Sequence, residues 1–279
     1  GEEAGAPLVE HPGVAVVSFT GSTSVGRWIA KVGGERLAKV CLELGGKNPL
    51  IVCDDADLEA AADAAALSAF SNAGQRCAAG SRILVFDAVY ERFRDLLVDR
   101  ARAQRVGSGD EHDFGPVINE RQLEQMVAGV AAARAAGAQV LVGGERLTGG
   151  EHAGGYFMAP TLVEGAALDS EIACTELFGP IATLHRVAGF DEAIAAANDS
   201  PYGLTAAIWT ASVHRGQEFL ARISSGVASV NGPTYGSEPH MPFGGERASG
   251  NGWREAGTEA LDVYSDLKTV YVNHDPSRV

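Results

Sequence analysis

Read by its apolar and polar spacing, the chain alternates short apolar runs with longer amphipathic ones. Val14 to Phe19 (VAVVSF) predicts a strand, and Val25–Val32 a helix with Ser22 as its N-cap. Lys39–Leu44 and Pro49–Val52 predict two more strands, and the Ala-rich stretch Leu58–Ser71 a helix. Ile83–Phe86 is strand-like, and Ala88–Ala103 is an amphipathic helix with Phe93, Leu96 and Leu97 inward. A Gly115–Ile118 turn leads into the helix Glu120–Ala136, and Val140–Val142 returns as a strand. Gly143–Gly155 reads as a surface loop whose His152 has no role, and Tyr156–Leu162 as extended. Ile181–Val187, Phe190–Ala197, Ala206–Trp209, His214–Ile223 and Val227–Val230 then alternate strand, helix, strand, helix, strand. That alternation predicts an α/β fold with parallel strands. Lys268–Asn273 is a last weakly alternating strand, whose open edge asks for a partner.

Composition narrows the classes. The 279 residues, 46% of them hydrophobic, can bury a large core in one or two domains. A net charge of −14 disfavours nucleic acid and anionic membrane surfaces as partners. No apolar run reaches the length of about 18 residues that a membrane span needs, and no basic segment leads into an apolar one. The four cysteines (Cys41, Cys53, Cys77, Cys174) form neither a CxxC spacing nor a cluster with His. A disulfide framework and a metal site are not expected, and a reducing cytoplasm fits.

Candidate chemistry lies in two stretches. Ser68 to Arg82 (SAFSNAGQRCAAGSR) places Cys77 in a small-residue loop between a helix end and a strand. Arg76 favours the thiolate there, and Ala78, Ala79 and Gly80 leave room for an incoming group, so the thiol is either a nucleophile or an inert packed cysteine. In Cys41 to Pro49, Glu43 interrupts an apolar run. Its poor solvation raises the carboxyl toward neutrality, as a general base needs; the other reading is a strand-end Glu facing solvent. The turn from Gly21 to Gly26 opens a helix with free N–H groups suited to phosphate, or is an ordinary strand–helix connection. It lacks the Lys and Ser/Thr of a P-loop, which excludes an NTPase reading. Asp54, Asp55 and Asp57 are read as complements to a helix dipole rather than as metal ligands.

FTGSTSVGR (19–27), LELGGKNP (42–49), GQRCAAGSR (74–82), ELFGP (176–180) and PFGG (242–245) occur in the order and approximate spacing of the NAD(P)-dependent aldehyde dehydrogenases. The chain resembles the C-terminal portion of that superfamily, closest to its bacterial semialdehyde-type members. The resemblance implies an α/β, aldehyde-dehydrogenase-like fold: a parallel-sheet catalytic domain preceded by the C-terminal remnant of a Rossmann-like domain. The implied divisions are 1–45 for the truncated cofactor domain, 46–262 for the catalytic domain and 263–279 for an oligomerisation strand. Gly1 falls midway through the family's nucleotide-binding domain, implying a fragment or a separately supplied N-terminal partner.

By the same resemblance Cys77 is the nucleophile and Glu43 the general base, and NAD or NADP is the cofactor. Gly21, Ser22, Val25, Gly26 and Leu44 fall on its pyrophosphate side, and Glu176 and Phe178 beside the nicotinamide ribose. Without the family, Glu176 is a turn residue. Phe243 borders the substrate tunnel, and Arg76, Arg82 and His240 are placed to meet the distal carboxylate of a semialdehyde. The expected reaction is oxidation of a small aldehyde to its acid, with Glu43-activated water hydrolysing a Cys77 thioester. The expected assembly is a homodimer or homotetramer. The alternative is a non-oxidising fragment or structural subunit with at most thiol-esterase reactivity.

Overall fold

The computed structural model describes residue 1 and residues 3–278. Helix α1 (Gly5–Glu10) precedes strand β1 (Val16–Thr20), helix α2 (Thr23–Glu35) and strand β2 (Lys39–Glu43). Strand β3 (Asn48–Val52), helix α3 (Leu58–Phe70), strand β4 (Gly80–Phe86), and helices α4 (Tyr90–Arg102) and α5 (Glu120–Ala135) follow. Next come β5 (Gln139–Val142), β6 (Arg146–Leu147), β7 (Phe157–Met158), β8 (Thr161–Glu164) and helix α6 (Glu171–Cys174). The last third holds β9 (Ile181–Val187), α7 (Phe190–Asn198), β10 (Tyr202–Gly203), β11 (Thr205–Trp209) and α8 (Val213–Arg222). It closes with β12 (Val227–Val230), β13 (Glu246–Arg247) and α9 (Ala260–Tyr264).

A seven-stranded sheet in the order β12-β11-β3-β4-β9-β8-β5 forms the centre, and β1 and β2 make a separate parallel pair. The apolar runs of β3 and β4 are continuous because both faces are covered. Leu50, Val52, Ile83 and Val85 pack under α3, α4 and α5, while Ile51, Leu84 and Phe86 pack under α7 and α8 with Phe219. Alanines at 61, 62, 65, 66 and 69 let α3 lie close to the sheet, and Asp57 caps it by accepting from the Ala60 N–H at 3.2 Å.

Several expectations change. Helix α2 begins directly after its Ser22 cap and runs past Val32, because the bare Gly33 lets it close on Val40. The helix expected from Ala88 opens as a 3-10 turn, Asp87–Val89, and becomes α-helical at Tyr90. The Gly143–Gly155 loop contains β6, which pairs with β7, and Pro160 interrupts the expected Tyr156–Leu162 extension between β7 and β8. The sheet is not wholly parallel, since β5 runs antiparallel to β8 at its edge. Lys268–Asn273 forms no strand within the chain. Among the described residues no strand pairs with it to supply a ladder, and Leu267, Val270, Tyr271 and Val272 stand exposed.

The two sheets meet rim to rim. Thr20 pairs with Glu43 at the C-terminal ends of β1 and β2, and Asn48 pairs with Gly80 at the N-terminal ends of β3 and β4. Only Leu44 to Lys47 separate β2 from β3.

Candidate active site

A cavity of about 820 Å³ opens where the rims meet. From the small sheet, Thr20, Gly21, Ser22, Leu44 and Gly45 line it; from the large one, Cys77, Ala78, Glu176 and Phe178. Arg76, Tyr235 and Phe243 form part of the remaining wall.

The loop that presents Cys77 is built from unusual backbone. Asn72, Ala73 and Gly74 are all left-handed, with φ of 55°, 53° and 64°. Two non-glycine residues in that region cost about 1–2 kcal/mol each. Side chains hold the turn: the Gln75 carboxamide accepts from the Ile118 N–H at 2.8 Å and donates to Pro116 O at 3.3 Å. A Cβ at Gly74 would lie 2.0 Å from Gly179 O, so this turn and the one after Glu176 are packed backbone to backbone. Phe178 is itself left-handed at φ 52° and 39% exposed on the cavity wall. Strain of this kind concentrates at functional sites.

Cys77 is half-buried, and all four cysteines are free. Burial pushes its thiol up, and the Glu176 and Glu43 carboxylates add to this, while the Ala78 and Cys77 N–H groups oppose it. The expected thiolate stabilisation by Arg76 is corrected here. Arg76 turns its guanidinium over the Tyr235 ring, 4.5 Å from the centroid, and the main-chain amides take that part. Cys41 and Cys53 are fully buried, and their thiols are pushed up to about 11 and about 12.

Glu43 ends β2 but does not line the cavity. It is 2% exposed, lies against Gly244, and neither carboxylate oxygen has a hydrogen-bond partner; the nearby Gly245 N–H falls outside bonding geometry. Burial, then the Glu255 charge, push it up to about 8 against the opposing pull of Arg254. The solvent-facing reading is therefore wrong. The neighbouring residue, Leu44, stands on the cavity wall.

Glu176 does line the cavity, and its Oε1 accepts from the Gly46 N–H at 3.1 Å. Burial pushes it up to about 7, opposed by that N–H and by Lys47. Gly45 lies against this carboxylate: a Cβ there would fall 1.9 Å from Glu176 Oε2 and push it aside. At the other end of the cavity the α2 N-terminus, capped by Ser22, presents its positive dipole end. Gly26 and Val25 stand outside the cavity: Gly26 packs bare against Leu44, and Val25 is exposed. A helix N-terminus, a carboxylate and a thiol thus share one cavity.

Arg82 and His240 do not reach this space. Arg82 is fully buried in β4, its Nη2 donating to Ala196 O at 2.8 Å, and His240 is exposed outside the lining. Sequence reasoning missed Asn48, which is 1% exposed and bonded to the backbone of the cysteine loop. An Asn opening an otherwise apolar strand was the available signal. Among the described residues no group of three or more His, Cys, Asp or Glu side chains is placed to hold a metal ion.

The model of the Aldehyde dehydrogenase family matches residues 1–270, and the chain belongs to that family. It is 39% identical over 274 residues to the alpha-ketoglutaric semialdehyde dehydrogenase of Bacillus subtilis, covering 98% of this chain and 56% of that protein. It is 40% identical over 275 residues to the 2,5-dioxopentanoate dehydrogenase of Saccharolobus solfataricus, covering 97% and 57%. The crystal structure of betaine aldehyde dehydrogenase from Staphylococcus aureus in complex with NAD+ superposes with a TM-score of 0.92 at 35% identity, covering 95% of this chain and 52% of that one. HpcC from Thermus thermophilus superposes at 0.93 with 38% identity, covering 99% and 55%. The chain thus spans about half the length of the curated relatives it matches.

Proposed function

We propose that the protein to which this chain belongs oxidises a carboxylate-bearing semialdehyde to its acid with NAD or NADP, through a covalent Cys77 intermediate. The observation that carries this is the single cavity joining the α2 N-terminus, the Glu176 carboxylate and the Cys77 sulfur. Gly21 and Ser22 take the pyrophosphate side, and Glu176 and Phe178 hold and wall the ribose side. When bound, the nicotinamide supplies a hydride acceptor.

Cys77 Sγ adds to the aldehyde carbon, and the Cys77 N–H helps hold the oxygen that becomes negative. Loss of hydride from that carbon leaves a thioester. Glu43 turns from its place beside Gly244 toward the cavity and takes a proton from water, whose oxygen attacks the thioester carbon. The C–S bond breaks, the acid leaves and the sulfur is restored. Because the Glu43 carboxyl is pushed up to about 8, hydrolysis should quicken as pH rises through that value.

Arg76 and Phe243 form the substrate end. Arg76 stacks on Tyr235 with no acidic partner among the described residues, which leaves its guanidinium free for the distal carboxylate. The exposed apolar tail from Leu267 to Val272 supports assembly as a homodimer or homotetramer. The four free cysteines suit a cytoplasmic setting.

The experiment is rapid-mixing detection of NADH in a protein completed to the relatives' full length. With 2,5-dioxopentanoate the unaltered enzyme should show a burst and then turnover, Glu43→Gln the burst alone, and Cys77→Ala neither. Appreciable oxidation by Cys77→Ala would overturn the assignment. Arg76→Met should raise KM about tenfold for the carboxylate-bearing substrate and leave a neutral aldehyde of similar length unaffected.

A further inference from the structure

Three consecutive carbonyls follow the sulfur, and side chains hold all three. Asn48 Nδ2 donates to Cys77 O at 2.8 Å and to Ala79 O at 2.9 Å, while Thr234 Oγ1 donates to Ala78 O at 2.7 Å. The other end of the Asn48 carboxamide accepts from the Thr205 N–H at 3.1 Å, which fixes which end carries the nitrogen. One buried side chain on β3 therefore ties β11 to the loop leading into β4. Gly46 lies against this clamp, where a Cβ would be 2.7 Å from both Asn48 Oδ1 and Cys77 O.

Peptide geometry turns this clamp into an aiming device. In a trans peptide the C=O and the following N–H point in opposite directions, and none of the peptide bonds among the described residues is cis. Anchoring Cys77 O on Asn48 points the N–H of the same peptide, that of Ala78, the other way, and this N–H opposes the upward push that burial gives the Cys77 thiol. The Thr234 bond acts on the next peptide, whose N–H, that of Ala79, donates to Arg76 O at 3.0 Å and does not meet the sulfur.

We propose that Asn48 is a positioning residue for the nucleophile: its carboxamide clamps the Cys77–Ala78 peptide so that the Ala78 N–H stays on the sulfur and favours the thiolate. The assignment rests on the reading of Cys77 as the nucleophile. Only a carboxamide offers two donors at one end and an acceptor at the other in this space; a carboxylate would repel both carbonyls.

The test is the pH dependence of Cys77 alkylation by iodoacetamide, located by peptide mass analysis in the full chain. Asn48→Ser and Asn48→Asp should raise the midpoint by about one pH unit and slow labelling about tenfold below it, the size of one hydrogen bond to a charged group. Thr234→Val should leave the midpoint in place. An unmoved midpoint in folded Asn48 variants, or an equal rise in Thr234→Val, overturns the proposal. If neither Asn48 variant folds, amide exchange in the unaltered chain reads the same bond. Ionisation of Cys77 should then slow exchange at Ala78 about tenfold relative to its neighbours, and insensitivity to ionisation overturns the proposal. If Cys77 of the unaltered chain labels no faster than Cys41 and Cys53, the nucleophile reading itself falls, and the Asn48 assignment with it.

Discussion

Replacing Glu43 by Gln should make the chain more stable, and increasingly so as pH rises. Glu43 is 2% exposed with both oxygens unpartnered, and its folded value of about 8 stands above its ordinary 4.5. The folded state thus binds this proton more tightly than the unfolded chain does. Its stabilising effect is complete below about pH 4.5 and drains away as pH climbs to about 8. At about 1.4 kcal/mol per pH unit, the loss is about 3 kcal/mol by pH 7 and about 5 kcal/mol above pH 8. Gln mimics the neutral carboxyl in size and has no proton to lose. Urea denaturation of both chains in buffers from about pH 5 to pH 9 measures the difference. Other titrating groups, Glu176 among them, contribute alike to both chains and drop out. The two stability curves should nearly meet at the acid end and separate steadily upward. Curves that run parallel would refute the burial of an unpartnered carboxyl at this position.

Gly74→Ala should destabilise by at least about 2 kcal/mol, because φ is 64° and the new methyl would strike Gly179 O; an unchanged melting temperature would contradict the packed turn. Gly45→Ala should push the Glu176 carboxylate off the Gly46 N–H and weaken NAD binding about tenfold in a fluorescence titration, with little change in melting. Truncation after Asp266 keeps the Lys39 contacts to Ser265 O and Asp266 and removes the exposed tail. The melting temperature of the dilute monomer should hold, while the sedimenting mass of the full-length assembly should fall; an unchanged mass would remove the tail from assembly.

Much of the frame was legible in the chain. Ile181–Val187 and Val227–Val230 emerged at their actual limits because turn residues bound them, Gly179-Pro180 and Gly189 around the first and Gly226 and Asn231-Gly232-Pro233 around the second. Direction was not legible: periodicity is the same for either sense of a strand, so the antiparallel β5 edge escaped notice. In the site, Glu43 among leucines correctly signalled poor solvation, yet nothing in LELGG says which side of the strand the carboxylate takes. Arg76 misled because neighbours in sequence need not be neighbours in space, and its charge went to Tyr235. Asn48 stayed hidden because its partners, Cys77, Ala79 and Thr205, lie 29, 31 and 157 residues further along the chain.

The candidate site occupies the rim where the strands of the large sheet begin, which leaves the opposite rim for other uses. The turns after β3, β4, β9 and β11, at Asp54, Asp87, Ala188 and Ala211, are exposed and lie about 20 Å away, one strand length from the sulfur. Epitope tags, fluorophores or whole inserted modules placed there would ride on the molecule well clear of the candidate site.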